Sequence, residues 1–119
     1  MDSLLNYTPH RELIYRPAHG DAVVLPQRGN VRLVEEYLPG EELSNGLPLT
    51  WMRYGAPDGL PDPAHGAVYL VSQLVTNACP ERDDLVFPAG LVRNERGDIV
   101  GFQLLARLAP GVETGEHDA

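Results

Sequence analysis

Apolar and polar positions along most of the chain follow strand spacing rather than helix spacing. Glu12–Arg16 and Ala22–Leu25 read as short strands, separated by a turn at Pro17–Asp21 and stopped by Pro26. Val31–Leu38 alternates, with Val31, Leu33 and Glu35 on one face and Arg32, Val34 and Glu36 on the other. Pro39-Gly40 ends it. Asn45-Gly46 is a hairpin signal, and Leu47–Tyr54 is the return strand, with Leu49, Trp51 and Arg53 on one face and Thr50, Met52 and Tyr54 on the other. Ala67–Val71 is continuously apolar, as a strand covered on both faces would be. Ser72 then offers a hydroxyl to cap a short helix over 73–79, which Pro80 stops. Leu85–Phe87 is a short extended piece, and Leu91–Glu95 with Asp98–Leu108 forms a hairpin around Arg96-Gly97.

The expected class is α+β but mostly β: a small twisted antiparallel or mixed sheet, a half-barrel of about six to seven strands with one short helix. Residues 1–10 are expected to be irregular because Pro9 fixes its own φ and pushes Thr8 toward extended geometry. Gly55–Gly66 holds three prolines and three glycines and reads as a long surface loop. With 119 residues and 43% hydrophobic content the chain fits one globular domain, residues 1–109, followed by an acidic flexible tail, residues 110–119.

Charge narrows the partners. Nine arginines and no lysine face 17 acids, a formal net charge of −8. Nucleic-acid binders concentrate positive charge against phosphate, so direct nucleic-acid binding is not expected. The N-terminal decapeptide carries Asp2 and no apolar run, so no secretory leader is expected. No stretch approaches the ~20 apolar residues of a membrane span. Cys79 is alone, which rules out an internal disulfide and fits a reducing cytoplasm.

No pair among His10, His19, His65, Cys79 and His117 has the spacing of a zinc site, and no metal or cofactor is expected. Ser72 sits at a strand-to-helix turn, but a nucleophile elbow needs glycines where Leu70 and Leu74 stand. Arg82, Asp83 and Asp84 lie side by side where the chain leaves the helix. An arginine held by a carboxylate can be presented to an anion. The amides around Ser72–Gln73 and the side chain of Arg93 are candidates to join it. Glu35, Glu36, Glu41 and Glu42 form a negative edge around one hairpin, suited either to a solvated edge or to a basic partner surface.

Asn6-Tyr-Thr-Pro-His10, Tyr69-Leu-Val-Ser-Gln-Leu-Val75, Arg82-Asp-Asp-Leu-Val-Phe-Pro88 and Leu91-Val-Arg-Asn-Glu-Arg-Gly97 together resemble the signatures of a family of small, uncharacterised bacteriophage and prophage proteins. Tyr7 stands where that pattern has Leu, and Phe102 where Cys is frequent. The resemblance implies a viral or prophage setting, in the cytoplasm of a host cell, where small accessory proteins often counter host defence. The expected function is therefore a non-catalytic protein binding a small anionic, nucleotide-like ligand through Thr8, His10, Ser72, Arg82, Asp84 and Arg93. Arg82 and Arg93 would pair phosphate, and Asp84 would orient Arg82 or accept from a ribose hydroxyl. The alternatives are an acidic inhibitor of a host defence protein acting through Glu35, Glu36, Glu41 and Glu42, a nucleotide hydrolase with His10 as base, and a virion accessory protein. A homo-oligomer formed through the edge of either hairpin, Glu41–Tyr54 or Leu91–Leu108, is also open.

Overall fold

The computed structural model describes residues 3–109, so the expected acidic tail lies outside the described residues. Eight strands and one helix follow in the order β1 (Ser3–Asn6), β2 (Glu12–Tyr15), β3 (Val23–Pro26), β4 (Glu35–Glu42), β5 (Pro48–Tyr54), β6 (Ala67–Leu70), α1 (Gln73–Ala78), β7 (Leu85–Arg93) and β8 (Ile99–Ala106). Six strands make one mixed sheet in the order β1-β6-β7-β8-β2-β3, while β4 and β5 form a separate two-stranded ribbon. The protein is thus mostly β with one short helix.

The six-stranded sheet curls into a nearly closed half-barrel. β1 lies parallel to β6, β6 parallel to β7, and β2 meets β8 in parallel at Tyr15 and Phe102. The two outer strands are joined across the seam at Asn6. Its carbonyl accepts from the Arg28 amide at 2.7 Å, and its side-chain Nδ2 donates to the Leu25 carbonyl at 2.9 Å.

Strand alternation sorts β6 between two apolar clusters. Leu70, with Val86 and Phe102, packs inside the curl against Leu13, Tyr15 and Leu25. Tyr69 and Val71 face the other way and join Val75 and Cys79 of the helix region with Val31 and Leu85. The rings of Tyr7 and Tyr69 meet edge to face at 5.3 Å. A strand buried on both faces carries no polar residue, which is why Ala67–Val71 reads as continuous.

Three expectations change. Residues 3–6 form a strand rather than an irregular start. Its partner β6 is remote in sequence, so local pattern gives no sign of the pairing. The strand expected over 31–38 is displaced to 35–42, and Val31–Val34 is held instead by single contacts, including the Arg32–Asp58 bridge. The two pieces around Pro88 are one continuous strand. The Tyr69 and Val71 amides donate to the carbonyls of Asp84 and Val86, so even-numbered β7 positions face β6. Pairing with β6 stops at Val86, and the missing N–H of Pro88 falls where no ladder bond was required. The hairpin turn at Asn45-Gly46 forms as expected, with Gly46 at φ +87°, a conformation that costs a side-chain-bearing residue more.

Candidate functional site

A cleft of about 570 Å³ opens between the Thr8–His10 loop, β2, the start of α1 and the β7–β8 pair. Its walls include Leu13, Ile14, Leu91, Ile99 and Phe102; its polar groups come from His10, Glu12, Arg16, Ser72 and Gln73. An apolar cavity with a few convergent polar groups is the usual form of a small-molecule site.

The loop that carries His10 is built by Asn6, only 1% exposed. Asn6 Oδ1 accepts from the Thr8 amide at 3.0 Å and from the Thr8 hydroxyl at 2.6 Å, while Nδ2 donates to the His10 carbonyl at 3.3 Å. Thr8 Oγ1 in turn accepts from the His10 amide at 3.2 Å, and Gln27 Nε2 donates to the Thr8 carbonyl at 2.7 Å. Every polar group of Asn6 and Thr8 is therefore spent inside the protein. The product of this network is a fixed backbone that holds the exposed His10 imidazole at the rim.

Arg16 is the cation of the cleft. Its backbone amide donates to the Phe102 carbonyl at 2.8 Å, and its Nε donates to the Val100 carbonyl at 2.9 Å. The aliphatic stem lies against Gly101, where a Cβ would meet Arg16 carbons at 2.9 Å. The stem is thus locked, and the terminal guanidinium nitrogens make no hydrogen bond among the described residues. A planar donor fork held this way needs little reordering to receive an anion.

Of the residues expected to bind a ligand, Thr8, His10 and Ser72 meet at this cleft. Thr8 supports the loop, and Ser72 caps the helix: its Oγ accepts from the Val75 amide at 3.3 Å. With six residues, α1 is a short helix with a correspondingly small dipole.

Arg82 and Asp84 lie elsewhere. Arg82 Nε and Nη2 donate to the two Asp84 carboxylate oxygens, each at 2.8 Å, and Nη2 also donates to the Pro61 carbonyl at 2.9 Å. The pair is mostly buried, with side chains 15% and 12% exposed. Its hydrogen bonds hold Asp84 below the ordinary carboxylate range and Arg82 above its own usual value. Arg82 borders a smaller hollow of about 290 Å³ with Asp83 and Arg107. Arg93 stands at the other end of the nine-residue strand β7 from Asp84. It donates to the Gly97 carbonyl at 2.8 Å within its own hairpin. The six expected residues thus occupy three places, because the continuous strand β7 separates Asp84 from Arg93.

Arg16 was not among the expected residues, and Gln73 was expected only through its backbone amide. A signal for Arg16 exists: over a strand at 12–16, alternation places Glu12, Ile14 and Arg16 on the face opposite Leu13 and Tyr15.

The four acids lie on β4 and are all exposed. Glu36 pairs with Arg53 at 2.8 Å, and Glu35 accepts from the Tyr37 hydroxyl at 2.7 Å, which raises that phenol's pKa. Glu41 and Glu42 follow the bulge between Leu38 and Glu41. Among the described residues no group of three His, Cys, Asp or Glu side chains gathers as a metal site would require. Cys79 is buried, and burial pushes its thiol up, away from the reactive thiolate. No helix of the described residues is long and apolar enough to cross a membrane. Comparison with known proteins finds no matching family model, no matching curated protein and no matching solved structure.

Proposed function

We propose that this protein binds a small anionic ligand with a flat apolar body, of the nucleotide class, in the His10–Arg16 cleft and holds it without turnover. The observation that carries the reading is Arg16: its stem is held by the Val100 carbonyl and Gly101, its terminal donors have no partner among the described residues, and it lines a cleft whose walls are mostly apolar. A base or similar ring would lie against Ile14, Leu91 and Ile99, with its anionic group on Arg16 and His10. Binding is favoured over chemistry because the Ser72 hydroxyl is engaged as a cap and the Cys79 thiol is buried. The phosphate role expected of Arg82 passes to Arg16 in this reading, since Arg82 is already bonded to Asp84 and Pro61. The resemblance to phage and prophage proteins suggests the use: an accessory protein that captures a nucleotide signal of host defence in the host cytoplasm.

Calorimetric titration with mono-, di- and cyclic nucleotides, with inorganic phosphate as control, tests this. A nucleotide should bind more tightly than phosphate. Arg16→Ala should weaken it by roughly 10- to 100-fold, the value of a hydrogen bond to a charged group, and His10→Ala by less. Wild-type affinity in Arg16→Ala would remove the basis of the proposal, and release of hydrolysed product would replace capture with catalysis.

A second reading rests on the four exposed acids of β4, which present negative charge on a ribbon whose strands pack chiefly on each other. An acidic inhibitor would bind a basic partner through them. Charge reversal at Glu41 and Glu42 would then abolish partner binding while leaving nucleotide titration unchanged.

A further inference from the structure

The β4–β5 ribbon has two edges of opposite character. The β4 edge carries Glu35, Glu36, Glu41 and Glu42 together with Pro39, the residues with which proteins usually blunt an exposed edge. The β5 edge carries no acid, and its one charge, Arg53, is already paired with Glu36. The phase of the ladder shows what that edge presents. Leu43 N donates to Leu47 O and Gly55 N to Val34 O, each at 2.8 Å. Odd-numbered positions of β5 therefore face β4, and Thr50, Met52 and Tyr54 turn their amides and carbonyls outward. No backbone bond reaches those outward groups among the described residues. Trp51 is 56% exposed and Met52 44%, and a two-stranded ribbon this open is marginal alone.

We propose that β5 pairs antiparallel with β5 of a second copy of this chain, across a two-fold axis at Trp51, giving a four-stranded sheet β4-β5-β5-β4. Trp51 is the middle of the seven-residue strand, so this register gives the greatest overlap. It sets Thr50 of each copy opposite Met52 of the other, and their outward amides and carbonyls exchange both bonds. The Tyr54 amide meets the Pro48 carbonyl, and the missing N–H of Pro48 falls at the strand end. Trp51 meets its own counterpart at a non-hydrogen-bonded position, where facing side chains come closest. The acids of both copies lie on the two outer strands, away from the seam, and Arg53 lands opposite Leu49. The register satisfies the outward hydrogen-bonding groups of both edges, sets apolar side chains against each other and brings no like charges opposite at the seam, with all the β4 acids on the outer strands, which favours a second copy as the occupant. The pairing leaves the His10–Arg16 cleft, built from other elements, unused.

Sedimentation velocity of the full chain from micromolar to millimolar concentration tests the pairing. The expected species is a concentration-dependent dimer of twice 13.0 kDa. Trp51→Glu and Trp51→Arg should each sediment as monomers with unchanged circular dichroism, because like charges would meet at the axis. Mixing the two should restore a 1:1 dimer. Trp51→Cys, at the same axis, should oxidise to a cross-linked dimer much faster than Thr50→Cys. A wild-type monomer throughout the range would overturn the proposal. So would a dimer that survives both charged substitutions, charged variants that do not recover on mixing, or equal cross-linking at positions 50 and 51.

Discussion

Arg82 shows how a charged side chain that reads as a ligand group serves the fold instead. Its guanidinium joins the helix exit to the Gly55–Gly66 loop through Asp84 and the Pro61 carbonyl. Removing it leaves a largely buried carboxylate without its partner, so Arg82→Ala should cost about 2 kcal/mol or more in urea unfolding. The pair also fixes a pH dependence. Asp84 has a lower pKa folded than unfolded, so its contribution is full above the unfolded value of about 4 and is lost as pH falls through the folded one. Asp84→Asn should be less stable than wild type at neutral pH, with a gap that narrows below about pH 4. A gap independent of pH would show that the carboxylate's charge is not what matters. The adjacency of Arg82 and Asp84 is plain in the sequence; their burial is not, because it depends on a loop whose irregular composition hides that it packs. Arg16 is the converse case, a residue whose face follows from counting along β2 but whose neighbours Val100 and Gly101 come from the far end of the chain.

At the scale of elements, what was legible is what is locally determined. The β6 strand, the Ser72 cap, the Asn45-Gly46 turn and the faces of β5 all follow from spacing and side-chain chemistry. Ser72→Ala should destabilise the protein by roughly 1 kcal/mol, the usual value of an N-cap, measured by thermal or urea unfolding, without altering nucleotide affinity. A loss of affinity larger than the loss of stability would give the hydroxyl a direct role in the cleft. β1 escaped the reading because its four residues gain strand character only beside β6. β4 was legible only over 35–38: Pro39-Gly40 reads as a stop but sits in a bulge between Leu38 and Glu41, while Val31 and Leu33, which do alternate, pack as separate contacts. The Gly40 backbone shows how tightly the ribbon is drawn together at its bulge, since a Cβ there would collide with the Leu49 carbonyl.

At the scale of the molecule, one amide side chain joins the seam of the sheet to the cleft. Asn6 ties β1 to β3 through Leu25, shapes the loop through Thr8, and positions His10. The Asn6–His10 segment thereby closes the seam and builds the rim of the cleft. Asn6→Ala strands several buried partners and should cost roughly 2–3 kcal/mol, with hydrogen exchange accelerating first in β3 and the Tyr7–Arg11 loop. Uniform acceleration across the whole sheet would mean that the seam has no stability of its own.

The strand order carries a consequence for how the protein is made. β1 has no sheet partner until β6 has been synthesised, and β2 reaches the main sheet only through β8, the last strand of the described residues. On the ribosome, the first half of the chain can form little beyond the β2–β3 hairpin, the Asn6 seam that ties β1 to it, and the β4–β5 ribbon. The half-barrel must then assemble in a late step, once β8 has emerged. Long-range pairing of this kind is slow to nucleate and leaves apolar strands exposed meanwhile, so the yield of folded protein should depend more on chaperones during synthesis than its small size suggests.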